Sequence, residues 1–329
     1  MKAWTGVAWF VLLHSLLLFP HSAHAARQTD NDHSAAVEWT SREAEHVYGL
    51  PDAKAKDRGS LTLSGTELSF SGKGGSSSIP RRSIVAVTAG NQRVEIWGMK
   101  GRVLRMVIPD GGGFVAAMFM HHRVDMLTVE FTDPRGGYHG AVFFLPAEEA
   151  NGALESFSRM PVVAREFQSH ACQDGFVRPH SLLLSAPAWD QVQVPAVYRA
   201  LVYERLLERL RLVQGVDHVY REGEDTARQG CPEYTMQLSI SGFKEGNQVK
   251  RAVLGPAGFF VSTTQMRFEA TVTDGSGRVS MQEQTKATVR GETESTNVSE
   301  DVARELAKHF TAVLKKSGEN IAGSTAPRY

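Results

Sequence analysis

Cysteine is nearly absent from this chain: Cys172 and Cys231 are the two among 329 residues. An excess of charge is also missing, since Lys+Arg and Asp+Glu both number 36. That balance gives no electrostatic reason to expect nucleic acid or an acidic membrane surface as a partner. Beyond the N-terminus no apolar run is long enough to span a bilayer as a helix. Motifs for common chemistries are lacking too. There is no Gly-x-Ser-x-Gly nucleophile elbow. Gly72-Lys73-Gly74-Gly75-Ser76 fails as a phosphate loop, because Glu67 stands where its first Gly is required and Gly74 where Ser or Thr is required. The sequence therefore reads as non-enzymatic, with no cofactor and no metal.

What is present begins with an address. Lys2 precedes an apolar run from Val7 to Phe19, Pro20 breaks it, and Ala23-His24-Ala25 is a small-x-small cleavage site. This is the order of a secretory signal peptide, residues 1–25, which directs the chain to the periplasm or outside the cell. The run is about 13 residues, short of the ~20 of a spanning helix. No Cys follows it, which closes the bacterial lipoprotein route to a membrane anchor. Hydrophobic content of 42% permits a sizeable core, and the length suggests about two domains.

Residues 26–43 read as a polar lead-in. From 44 to 158 the pattern has period two. Leu61, Leu63, Leu68 and Phe70 alternate around Ser64-Gly65-Thr66 as a hairpin, and strands follow at Ile84–Val87, Val94–Ile96, Val103–Ile108, Met126–Phe131 and Gly140–Phe144. Pro146, Glu148 and Glu149 then open a helix whose apolar face is Ala150, Leu154 and Phe157. Gly59-Ser60-Leu61-Thr62-Leu63, Leu68-Ser69-Phe70, Ile79-Pro80, Ile84-Val85-Ala86-Val87 and the closing strands 127–131 and 141–144 resemble a pleckstrin-homology-like (PH-like) or GRAM-type domain. The resemblance implies a β-barrel with a helix capping one open end.

A linker, 159–177, leads to a second block, 178–317. Strands at Ser181–Leu184 and Gln191–Val194 precede a helix opened by Pro195, with Tyr198, Val202, Leu206, Leu210 and Val213 on its apolar face. Arg199, Glu204, Glu208, Arg209 and Arg211 fall on the opposite, charged face. After a short strand at Asp217–Tyr220 come four more, Tyr234–Phe243, Gln248–Leu254, Met266–Val272 and Arg278–Val289, read as a meander. Asn297 and Glu300 have capping-box spacing before a last helix with Val302, Leu306, Phe310 and Val313 buried. This order predicts a mostly antiparallel sheet with two helices on one face, so the whole is α+β. Val194-Pro195, Tyr234-Thr235-Met236-Gln237-Leu238, Arg251–Gly258 and Asp274-Gly275-Ser276-Gly277 resemble α/β domains of uncharacterised bacterial envelope lipoproteins and, more distantly, of outer-membrane secretion-channel lipoproteins. The lipid-bearing Cys of such proteins is missing here. Residues 318–329 read as a disordered tail.

Several groupings compete for a functional role. Cys172 and Cys231 in an oxidising compartment read first as one disulfide. The loop closed, about 60 residues, would add ~4 kcal/mol in the chain-entropy model; two unpaired thiols are the alternative. His170, Cys172 and His180 match no zinc spacing, and a disulfide Cys beside surface histidines is the simpler reading. Phe114, Met118, Phe119 and Met120 belong to an apolar run that contacts a partner or lipid if it lies on an exposed loop, and is a buried strand flank otherwise. Lys73, Arg81, Arg82, Arg93 and Arg102 read as solvated charge. Gly255, Gly258, Phe259 and Phe260 form a Gly-flanked apolar loop suited to docking, with a buried turn equally open. The expectation is an exported binding or scaffold protein of the bacterial envelope that docks another envelope protein. A lipid or small-molecule carrier and a hydrolase of unknown substrate are the alternatives.

Overall fold

The period-two pattern of the first block becomes a seven-stranded antiparallel sheet. The computed structural model describes residues 37–95, 121–158, 175–187, 194–246, 263–289 and 295–324. The signal peptide, the expected strands 103–108 and 248–254, and most of 191–194 lie outside them. In chain order the first-sheet strands are β1 (Val37–Tyr48), β2 (Asp57–Ser64), β3 (Glu67–Gly72), β4 (Gly75–Pro80), β5 (Ile84–Glu95), β6 (His121–Thr132) and β7 (Tyr138–Pro146). Their spatial order is β4-β3-β2-β1-β7-β6-β5. β1 starts at Val37, inside the stretch expected as lead-in. It pairs β2 along its length and β7 through Glu45↔Phe144 and His46↔Phe143. Among the described residues no ladder joins the edge strands β4 and β5, so the sheet is not shown as a closed barrel.

One face of this sheet carries the residues that alternation selects. Leu61, Leu63, Leu68, Phe70, Leu127, Val129, Phe131, Ala141 and Phe143 form a core under helix α1 (Glu149–Ser158). Ala153, rather than Leu154, joins Ala150 and Phe157 in the buried face of α1. Arg81 is not solvated as expected. Its guanidinium holds Glu38 at 2.9 Å and the carbonyls of Ser64 and Ser156 at 3.0 and 2.9 Å, tying α1 to the β2–β3 hairpin.

The second sheet has β8 (Val177–Leu184), β9 (His218–Arg221), β10 (Cys231–Lys244), β11 (Thr264–Asp274) and β12 (Val279–Val289) in the order β12-β11-β10-β8-β9. β10–β8 and β8–β9 run parallel, and β10–β11 and β11–β12 antiparallel. The sheet is therefore mixed, where a mostly antiparallel one was expected. The helix between β8 and β9 carries the chain back to start a parallel neighbour, which a hairpin cannot do. Helices α2 (Ala196–Leu210) and α3 (Val298–Ser324) cover one face, as the pattern predicts, and α3 runs into the stretch read as tail. Val302, Leu306 and Phe310 are fully buried. Glu300 does not close a capping box: it pairs with Arg209 and lies 3.7 Å from Arg205, both on α2.

The two sheets share a core. β7 is buried on both faces from Tyr138 to Leu145. Its second face, with Val124 and Met126 of β6, packs in one cluster with α2 and with Met236, Phe268 and Phe310. A Cβ on Gly140 would lie 2.5 Å from Ala200 Cβ, so glycine is what lets α2 approach this strand. α2 is consequently buried nearly all round, which a helix tolerates only where every side meets protein. The described residues, from Val37 onward, belong to one compact unit.

Candidate functional site

Two charged residues of α2, Arg199 and Glu204, face β6, β7 and β9 rather than water. Glu204 is 5% exposed and accepts both guanidinium nitrogens of Arg221, each at 2.8 Å. Arg221 also donates to the Tyr138 carbonyl at 2.8 Å, and Glu204 accepts the Gly140 amide at 3.1 Å. Burial works against the charge on Arg221, but the Glu204 carboxylate overrides it and raises the arginine's pKa. One turn earlier, Arg199 forks onto Glu130, with Nε 2.7 Å from Oε1 and Nη2 bonded to Oε2. The Tyr138 hydroxyl donates to the same carboxylate at 2.6 Å. Burial, then the Glu130 charge, lifts the Tyr138 pKa well above its ordinary value, so the phenol stays a donor. Tyr203 stands edge-on to Tyr138 at 4.8 Å, donates to the Leu184 carbonyl at 3.3 Å and accepts the Glu222 amide at 3.0 Å.

His139 lies beside this pair, 8% exposed at its side chain. Its Nε2 is 3.4 Å from Asp133 Oδ2 and its Nδ1 is 3.6 Å from Glu204 Oε1. Burial resists ionisation of Asp133. Hydrogen bonds from His139 and from the Gly137 and Arg135 amides outweigh it and hold the carboxyl below its ordinary value. The His139 Nδ1 makes no hydrogen bond among the described residues, so Asp133 is the acid that orients the ring. The network's role is cohesive: bidentate, charge-assisted pairs fix the angle at which α2 crosses β7.

β9 links the network to the surface. Arg221 ends the strand inside, while His218 begins it on an open cleft of about 290 Å³ lined by Arg211, Val216, Asp217, His218 and Val219. Opposite, on β8, His180 has a left-handed backbone at φ 58°. Its amide donates to Glu233 at 2.6 Å, and its carbonyl accepts the Asp217 amide at 2.8 Å. A non-glycine residue held there is strained, and such positions concentrate where the surroundings over-determine them.

The residues proposed from sequence are distributed differently. Phe114, Met118, Phe119, Met120, Gly255, Gly258, Phe259 and Phe260 lie outside the described residues, as do His170 and Cys172. Cys231 opens β10, is 5% exposed and donates its amide to the Phe176 carbonyl at 2.8 Å. Among the described residues no cysteine is a free thiol, and no group of three or more His, Cys, Asp and Glu could hold a metal. The buried network itself was missed. The signal that could have found it is the unbroken apolar run Ala141–Leu145, which implies a second covering layer over β7.

No family model and no curated protein matches the chain. Solved structures match in part. The PelC dodecamer from Paraburkholderia phytofirmans is 13% identical over 40% of this chain and 88% of its own, with a TM-score of 0.30. Protein XCC0632 from Xanthomonas campestris, of the DUF330 family model, is 9% identical over 44% of this chain and 91% of its own, also at 0.30. Both are distant structural similarities to bacterial proteins.

Proposed function

We propose that this chain is an exported, non-enzymatic binding or scaffold protein of the bacterial cell envelope that docks a protein partner on its five-stranded sheet. The observation that carries the reading is the uncovered side of that sheet. Gln282, Gln284 and Lys286 of β12 and Arg267 and Glu269 of β11 are exposed, while Met281, Met266 and Phe268 between them are buried under the helices. β12 is also an edge of eleven residues, paired along its length to β11 alone among the described strands. Its outer backbone groups can accept an added strand. The order β4-β3-β2-β1-β7-β6-β5 with its helix supports a PH-like reading of the first sheet. Export rests on Lys2, the Val7–Phe19 run and Ala23-His24-Ala25. Among the described residues no helix is long and apolar enough to cross a membrane.

A Cys172–Cys231 disulfide belongs to this reading. Cys231 is bonded through its amide to Phe176, which puts Cys172 only a few residues of chain away. Mass measured with and without reductant should differ by two hydrogens.

The docking reading is tested by cross-linking the tagged full chain in its native envelope, with capture and mass spectrometry. One or two partners in near-equal amount, lost when Gln282→Lys and Gln284→Lys are combined, are expected. Capture unchanged by those substitutions, or no partner above background, would overturn docking on β12.

A further inference from the structure

A buried ring nitrogen at the junction of β7 and α2 goes without a hydrogen bond. His139, the second residue of β7, is 6% exposed. Its ring stacks on Phe131 of β6 at 5.0 Å, which fixes the plane in which both nitrogens lie. Nε2 is bonded to Asp133 Oδ2 at 3.4 Å. Asp133 Oδ1 takes the Arg135 and Gly137 amides, each at 2.8 Å, which leaves Oδ2 to the ring. Nδ1 is 3.6 Å from Glu204 Oε1, buried, and has no hydrogen-bond partner among the described residues. That oxygen already accepts the Gly140 amide and an Arg221 nitrogen. The neutral ring has a single N–H. With it on Nε2, the Nδ1 lone pair confronts a carboxylate oxygen, and two buried acceptors face each other without a proton between them. Asp133 in the turn and Glu204 on α2 are the acids within reach of the ring. Arg221, Arg211 and Arg135 lie among these acids and work against a further positive charge, which Glu224, beyond β9, favours.

We infer that His139 is an acid-operated clasp: a proton on Nδ1 turns its bare contact with Glu204 into a charge-assisted bond, so that one ring holds the β6–β7 turn and α2 together. Both acceptors are already in place, and the 3.6 Å contact has only to close toward the ~2.8 Å of such a bond. Arg221 shares Oε1 with the incoming donor and keeps its second bond, to Oε2, at 2.8 Å. The Gly140 amide and the Tyr138 carbonyl are tied to the same Glu204–Arg221 pair, so what acid changes is the freedom of β7 to move against α2. A proton at His46 acts in the opposite direction. There Nε2 accepts the Leu50 amide, and protonation breaks that bond. Acid thus loosens the chain after β1 and fastens the β7–α2 junction. Docking on β12 does not enter this inference.

The test uses the full chain with isotope-labelled histidine, its ring nitrogens read by NMR between pH 8 and 5. At the high end the proton is expected on Nε2, with Nδ1 bare. On acidification Nδ1 gains a proton that exchanges with water slowly enough to be seen directly, and the Gly140 amide shifts with the same midpoint. The second reading is protection of the Gly140 amide against hydrogen exchange, corrected for the intrinsic rate. It is made in the His46→Gln background, so that the acid loss at His46 does not mask it. Protection is expected to rise about threefold or more from pH 8 to pH 5, and the rise to vanish when His139→Gln removes the titrating ring. A proton already on Nδ1 at pH 8, an Nδ1 proton that exchanges freely, protection that stays flat or falls, or a rise that persists without His139 each overturns the clasp. The ring reading needs no substitution at the junction, so it decides the matter even if His139→Gln fails to fold.

Discussion

At the scale of single residues, Glu204 is the side chain on which most depends. It neutralises Arg221, receives the Gly140 amide and faces His139 Nδ1. Glu204→Gln keeps the shape and removes the charge, stranding a buried guanidinium. The expected cost is about 3–5 kcal/mol, read by urea unfolding. A loss under ~1 kcal/mol would mean that Arg221 finds Glu224 or another acid instead. His46 gives a pH signature. Its Nδ1–H donates to the Lys54 carbonyl at 2.9 Å and its Nε2 accepts the Leu50 amide at 3.0 Å, so the ring is held neutral. Burial, opposed by the Lys54 bond and the Asp57 charge, lowers its pKa below 6.5. The unfolded chain then binds the extra proton. This contribution to stability is whole above pH 6.5, falls as pH drops below it, and levels off under the folded-state pKa. Unfolding free energies between pH 5 and 8 should show that slope in the parent, and less of it in His46→Gln. None of this was visible residue by residue. Glu204 and Arg199 read as the charged face of a helix, and Arg81 as solvated charge, because a helical or strand period finds the face toward one layer and says nothing of a second layer that buries the other.

Elements were more legible, because the periods of strand and helix are set by backbone geometry. The hairpin at Ser64–Glu67, the turn at Asp274–Gly277 and the stripe of α3 all fall where patterning puts them. Parallel pairing of β8 with β10 and β9 was not legible, since alternation fixes which residues face the core but not strand direction. The contact of α2 with β7 depends on Gly140. Gly140→Ala would place a methyl 2.5 Å from Ala200 Cβ and 2.9 Å from its Cα, both on a helix that cannot yield locally. The expected loss is about 1–3 kcal/mol, seen as a lower Tm. A neutral result would show that α2 can slide along the strand.

The whole molecule is best described by what its layers share. Val124, Met126, Tyr138 and Phe144 from the first sheet lie in one apolar cluster with Leu238, Phe268 and Phe310 from the second sheet and α3. Glu130–Arg199 and Glu204–Arg221 cross the same junction. This sharing was the least readable feature, because each half has a complete sequence pattern of its own. It bears on function: a partner docked on β12 would be held against one body rather than on a swinging arm. Native-state hydrogen exchange tests this directly, comparing the slowest amides of Leu127–Val129 with those of Leu238–Ile240. The account predicts one common opening free energy for both segments, lowered in both by Glu204→Gln. Two distinct opening free energies, with Glu204→Gln lowering only one, would contradict it.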